Sequence, residues 1–279
     1  MSAYVELEAT SHFSFLRGAS SPEELFAAAA LLDMPALGLA DRNSVAGVVR
    51  AYAGMKATGV RSLPGCRLDL DDDVSVLVYP IDKPAWSRLT RLLTAGKRRG
   101  GKGACRLGWD DLAAAGEGQV AILLAGDDRD RTRSHAERLA HDFGDRGWLA
   151  LSQRRRPGDN LRLADLDALA ARAGIGAVVT GDVLYHTPDR RLLQDVVTCI
   201  RHGCTIDDAG FRRERHADRH LKSGREMARR FASLPHAVEA SAAIADRDES
   251  IAKCETPQAT LEWLTRERAE WRYPGGVPP

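Results

Sequence analysis

Three places in this chain carry the residue types used for metal-assisted hydrolysis, and each ends a predicted strand. Glu8 and His12 close the first, Asp41 follows the apolar run 36–40, and Asp182 and His186 follow the run 177–180. Carboxylates and neutral imidazoles hold divalent ions, which activate bound water and polarise a phosphoryl oxygen. Residues so placed meet when the strands lie side by side, because the loops after parallel strands converge on one face. Asp41 and Asp182 each also have a purely structural use as caps of the turn or helix that follows.

The elements that must position these residues alternate. Strands are predicted over 36–40, 74–79, 120–124, 148–151 and 177–180, and helices over 44–57, 85–94, 133–143, 162–173 and 188–201. This rhythm argues for an α/β chain with a parallel sheet or barrel inside a layer of helices. The first helix is well marked: Ser21 caps it, Pro22 suits its first turn, and Glu23 and Glu24 favour the positive end of its dipole. Beyond Phe211 the pattern changes. Arg212 to His220 reads as a charged surface loop, Ser223 to Phe231 and Pro235 to Ala245 as two helices, and 256–272 as one more.

Other motifs carry less. Gly96 to Gly103 has the spacing of a phosphate loop, but Gly103 stands where a Ser or Thr must reach magnesium, and the segment follows a helix rather than a strand. It reads instead as a mobile basic loop in which Lys97, Arg98, Arg99 and Lys102 are candidates for contact with a nucleic-acid backbone. Asp69 to Asp73 lacks the glycine turn and distal glutamate of a calcium loop and reads as a solvated turn. Cys199, His202 and Cys204 lack a second matching pair for zinc.

The bulk properties exclude several classes. The 279 residues suffice for one large domain, and a hydrophobic share of 44% supplies a core. A net charge of +1 gives no molecule-wide basic field. Five scattered cysteines argue for reduced thiols and a cytoplasmic location. No apolar run approaches the ~18 residues of a membrane span.

The chain resembles the N-terminal PHP domain (polymerase and histidinol phosphatase) of bacterial DNA polymerase III alpha subunits, most of all the error-prone, damage-tolerance branch. The resemblance rests on FSFLRGASSPEEL (13–25), ADRNSVAGVVRAY (40–52), LTAGKRRGGKGACRL (93–107), TGDVLYHTPDRRLLQDVVTCIRHGCTID (180–207) and HLKSGREMARRF (220–231). It implies a distorted seven-stranded (β/α) barrel over residues 1–245, with 246–279 leading toward a polymerase domain. It also implies a trinuclear metal cluster at one end of the barrel, used by active members for phosphoester hydrolysis.

Carried onto this sequence, that site is depleted. Glu8 and Thr10 stand in place of a His-x-His pair, Arg17 replaces an acidic residue, and Asp41-Arg42 replaces an Asp-His pair. Arg67 replaces a glutamate, and Leu184 the histidine after Asp182. The resemblance therefore implies a domain without metal or other cofactor and without activity of its own, serving a scaffolding role. Its parent would be a DNA-directed, translesion polymerase with DNA and other translesion proteins as partners. In that setting Arg17, Arg42 and Arg67 are expected to pair with Asp41 or Asp182. Two alternatives remain open: a phosphoesterase with a rearranged manganese or zinc site built from Glu8, His12, Asp41, Asp182 and His186, and a non-enzymatic DNA-contacting module using the 97–106 and 154–156 basic clusters.

Overall fold

The computed structural model describes residues 4–247. The helix expected over 256–272, and all but the first two residues of the expected 246–279 linker, lie outside the described residues.

Seven strands form one mixed sheet in sequence order: β1 (Glu6–Ala9), β2 (Ala36–Arg42), β3 (Arg61–Asp69), β4 (Ser75–Pro80), β5 (Gln119–Leu124), β6 (Gly147–Leu151) and β7 (Gly176–Val179). The sheet is not wholly parallel, as the alternation suggested. β1, β2 and β3 run parallel, β4 is antiparallel to both its neighbours, and β5, β6 and β7 are parallel again. Only five residues join β3 to β4, too few for the crossover that a parallel pair needs. The sheet curls until its edges meet: just past β7, Val183 exchanges backbone hydrogen bonds with Glu8 and Thr10, at 2.8 and 2.9 Å. A distorted α/β barrel results, as the resemblance implied.

The helices are α1 (Pro22–Leu31), α2 (Val48–Thr58), α3 (Lys83–Gly100), α4 (Trp109–Ala114), α5 (Arg129–Phe143), α6 (Asp159–Ala173), α7 (Arg191–His202), α8 (Gly224–Arg230) and α9 (Pro235–Ala245). α1 begins as its sequence predicts. Ser21 Oγ accepts from Glu24 N at 3.1 Å while Glu24 Oε2 accepts from Ser21 N at 2.9 Å, a reciprocal cap. α3 extends beyond the predicted 85–94. Lys97, Arg98 and Arg99 are its last turn, where cations suit the negative end of the helix dipole, and only Lys102 lies in the turn beyond. The basic loop of the sequence reading is thus mostly a helix terminus.

Alternation along each strand divides the core in two. One set, including Leu37, Leu39, Leu68, Leu149 and Leu151, meets the helices. The other, including Leu7, Leu63, Leu77, Ile122 and Val178, fills the barrel, with Ala240 and Ile244 of α9 packed against it. Tyr79 fills the interior beside Gly38 and Gly65. A Cβ on Gly65 would sit 2.4 Å from the Tyr79 ring, so only glycine admits the ring there.

Candidate functional site

The inward row of β3 starts apolar and ends charged: Leu63 and Gly65 are followed by Arg67 and Asp69. On β4 the same row ends at Ser75, which pairs with Asp69 across the ladder. The interior of the barrel is therefore apolar below and ionic at the mouth. β1 contributes Glu8 through a register shift between Glu6 and Ala9. The segment after β7 contributes Thr180 and Asp182.

At this mouth the carboxylates are already engaged by cations. Arg219 pairs with Asp182 Oδ1 and donates from Nε to its carbonyl at 2.9 Å, while Arg154 Nη2 lies 3.4 Å from Oδ2. Arg67 Nη1 lies 3.6 Å from Glu8 Oε1; its Nε donates to Asp69 at 3.0 Å and its Nη2 to Ser75 at 3.1 Å. Arg42 holds the other oxygen of Asp69. Glu8 also accepts from Thr180 Oγ1 at 2.7 Å. Beneath it, buried Glu6 accepts from Tyr4, Glu8 N and Gly181 N.

The environments push the two central carboxylates apart. Burial and the nearby charge of Asp182 raise the Glu8 carboxyl to about 8. Arg67 opposes this, but at 3.6 Å it is at the outer limit of an ion pair and is shared with Asp69. Burial also opposes ionisation of Asp182, yet Arg219 and Arg154 outweigh it and hold that carboxyl well below the usual range. At neutral pH the pair therefore carries one charge, on Asp182.

Asp41 is buried and satisfied by hydroxyls rather than by guanidiniums. Ser11 N and Ser14 Oγ donate to Oδ1 at 2.9 and 2.7 Å, and Ser11 Oγ donates to Oδ2 at 2.8 Å. Ser14 Oγ in turn accepts from Arg42 N at 2.8 Å. Asp41 thus ties the 11–18 loop onto the end of β2. Burial raises its pKa, an effect only partly offset by these bonds.

Several sequence expectations need correction. Arg42 and Arg67 form ion pairs, but with Asp69 and Glu8; none of Arg17, Arg42 and Arg67 pairs with Asp41 or Asp182. The partners of Asp182 come from Arg154 and Arg219 instead. Arg219 lies in the segment read as a surface loop, which turns back onto the mouth. Asp69 is the last residue of β3 and central to the network, not part of a solvated turn. The structure brings Glu8 and Asp182 together but leaves both imidazoles outside. His12 is exposed with its ring 4.8 Å from that of Phe13, and His186 Nδ1 is 2.8 Å from Ser20 Oγ. The two-residue displacement of each from the family position is enough to turn it to other work. Of the basic candidates, Lys97, Arg98, Arg99 and Lys102 are all exposed, and Arg99 pairs with Asp111.

These donors do not fit a divalent-ion cluster. Among the described residues no three His, Cys, Asp or Glu side chains gather where they would hold a metal ion. Asp182 faces two guanidiniums, Glu8 favours its neutral form, and Asp41 is occupied by two serines.

An α/β barrel of this order, with charged side chains of β1, β3 and the segment after β7 gathered at its mouth, has the architecture of the PHP domain. Residues 6–149 match that family, and the chain belongs to it. Its relatives include error-prone DNA polymerase 1 of Agrobacterium fabrum, 54% identical over 288 residues, which span 99% of this chain and 26% of that protein. Error-prone DNA polymerase 2 of Rhizobium meliloti is 49% identical over 99% of this chain and 26% of its own length. The error-prone DNA polymerase of Caulobacter vibrioides is 46% identical over 99% of this chain and 27% of its own length. The chain thus spans about a quarter of the length of these relatives.

Proposed function

We propose that this chain is the PHP domain of an error-prone polymerase of the DNA polymerase III alpha type. In this reading it is catalytically inactive by itself, and arginine side chains do the structural work that metal ions do in active members. The carrying observation is the bracketing of Asp182 by Arg219 and Arg154, with Arg67 beside Glu8. Guanidiniums bracketing a buried carboxylate supply the positive charge a divalent ion would supply, without an open coordination position for water. The parent would extend DNA past lesions in the cytoplasm, and this domain would support its polymerase domains.

A second feature fits a scaffold. On α7 the apolar residues Leu192, Val196 and Ile200 recur four apart and are 77%, 47% and 61% exposed. Such a stripe is expected to be covered. The relatives are some four times the length of this chain, so the remainder of the parent polymerase is its natural occupant.

The test is metal analysis of purified protein together with assays for release of phosphate or nucleotides from phosphomonoesters and from DNA ends, in the presence of manganese or zinc. The expected result is substoichiometric metal and no turnover. Stoichiometric metal with turnover abolished by Asp182→Ala would establish a rearranged phosphoesterase instead.

A further inference from the structure

Three clefts cross the barrel mouth and share residues. The first, of about 470 Å³, is lined by Phe15, Arg17, Arg42 and Lys97 among others. A narrow one of about 90 Å³ repeats Arg17 and Arg42 and adds Arg201, Arg212, Glu214 and Arg219. A third, of about 560 Å³, repeats Glu214 and Arg219 and continues past Arg213, Arg215 and the Arg154–Arg156 run to Phe211. Joined by these shared residues, they make one groove running from Phe15 to Phe211.

Its charge is far from balanced. The largest cleft has six arginines against three carboxylates, and the narrow one five against two. Among the described residues, Arg17, Arg201, Arg212 and Arg215 have no carboxylate partner. Burial lowers the guanidinium pKa of Arg17, Arg42 and Arg201, and the charges of neighbouring arginines lower each further. Crowded like charges in a half-buried groove are relieved by a bound polyanion. The two large aromatic side chains at its ends are almost fully solvated: Phe15 is 84% and Phe211 91% exposed, and Arg215 stacks over the Phe211 ring at 5.4 Å. Exposed aromatic rings at intervals along a cationic track are the elements with which proteins hold single strands without reading sequence. Bases stack on the rings and phosphodiesters sit on the arginines.

We infer that the mouth groove of this barrel binds single-stranded nucleic acid, with bases on Phe15 and Phe211 and the backbone across Arg17, Arg201, Arg212 and Arg215. The groove adjoins the end of α3 through Lys97 and takes in the 154–156 cluster, but its unpaired arginines come from the 11–18 loop, α7 and the 212–215 segment. It also stands apart from the polymerase reading, because it concerns only residues of this barrel.

Fluorescence anisotropy of a labelled 12-residue deoxythymidine strand, titrated with the chain at several salt concentrations, tests it. The expected result is saturable binding that weakens linearly in log–log plots against salt. Phe15→Ala and Phe211→Ala should each weaken binding about tenfold. Both rings are exposed, so the variants should keep the parental melting temperature. Arg215→Glu should weaken binding strongly, whereas Arg225→Glu, an equal charge change outside the groove, should not. The inference is overturned if the strand fails to bind at low salt or if a duplex binds as tightly. It is also overturned if inorganic phosphate displaces the strand at low millimolar concentration, or if both phenylalanine variants bind like the parent.

Discussion

Arg219 grips Asp182 twice, through its carboxylate and through its main-chain carbonyl, and so pins the segment after β7 to the segment before α8. Asp182 sits at φ +48°, a left-handed conformation that aspartate tolerates better than most residues but still adopts at some cost. The arginine thus fixes both the charge and the unusual backbone of the residue just before Val183, which closes the barrel against β1. Removing the carboxylate should leave Arg219 and Arg154 facing each other over a buried gap. Asp182→Ala is expected to destabilise the chain by about 3 kcal/mol in urea unfolding at pH 7, in the range for breaking a buried pair. The sign with pH follows from the depressed carboxyl. Its contribution is fully present above about pH 4 and is lost as the solution is acidified through the lower folded value. The gap between the parent and Asp182→Ala should therefore narrow in acid. An unchanged gap between pH 7 and pH 3 would show that the ion pair is not its source.

Glu8 behaves in the opposite sense. Its folded carboxyl is raised from the ordinary 4.5 to about 8, so between these values the folded chain holds a proton that the unfolded chain has released. Stability contributed at this site accordingly falls as the pH climbs from about 4.5 to about 8. Glu8→Gln keeps the shape and the acceptor for Thr180 and removes the titration. At pH 5 the variant should match the parent closely, while at pH 9 it should be more stable, by on the order of 2–4 kcal/mol. Melting curves at the two values decide this. A variant less stable than the parent at pH 9 would mean that the ion pair with Arg67 outweighs burial.

The strand ends were legible in the sequence, and the partners were not. Apolar runs of four to six residues located β2, β4, β5, β6 and β7, because buried strands leave an unbroken hydrophobic signature. β3 went unmarked, since Pro64, Gly65 and Arg67 interrupt its run; the glycine is there for the Tyr79 ring and the arginine for the mouth. The departures at Thr10, Arg42, Arg67 and Leu184 from the ligand pattern that the resemblance implies could be read position by position. Nothing local could show that Arg219, 37 residues after Asp182, returns to it, or that Asp69 and not Asp41 gathers the incoming arginines. Long-range pairing of this kind is set by the curl of the sheet, and a charged segment reads the same whether it faces solvent or a carboxylate.

Ser14 carries a second such hidden role. It donates to Asp41 and accepts from Arg42 N, bridging the side chain and backbone of consecutive residues at the end of β2. Ser14→Ala removes one of the three groups that satisfy a buried carboxylate and orphans an amide. The expected cost is about 2 kcal/mol. Because burial already raises Asp41, losing a donor should raise it further, so the loss should be larger at pH 7 than at pH 4. Chemical unfolding at both values checks the prediction, and equal losses at the two would point to packing alone.

The outward stripe of α7 makes the last prediction, and it separates the needs of the isolated chain from those of a larger assembly. Leu192, Val196 and Ile200 contribute little to the barrel, because each leaves about half or more of its surface in solvent. Changing all three to glutamine removes apolar surface already exposed in the folded state, and surface changes of this kind are usually within about 0.5 kcal/mol each. The triple variant should melt within a few degrees of the parent and scatter less light at high concentration, since the exposed stripe is what copies of the chain would bury against one another. In the longer polymerase proposed as the parent, the same substitutions should lower the melting temperature, as a covered apolar stripe contributes about 25 cal/mol per Å² that glutamine does not. If they leave the full-length protein as stable as its parent, the stripe is not where the rest of the polymerase rests on this domain.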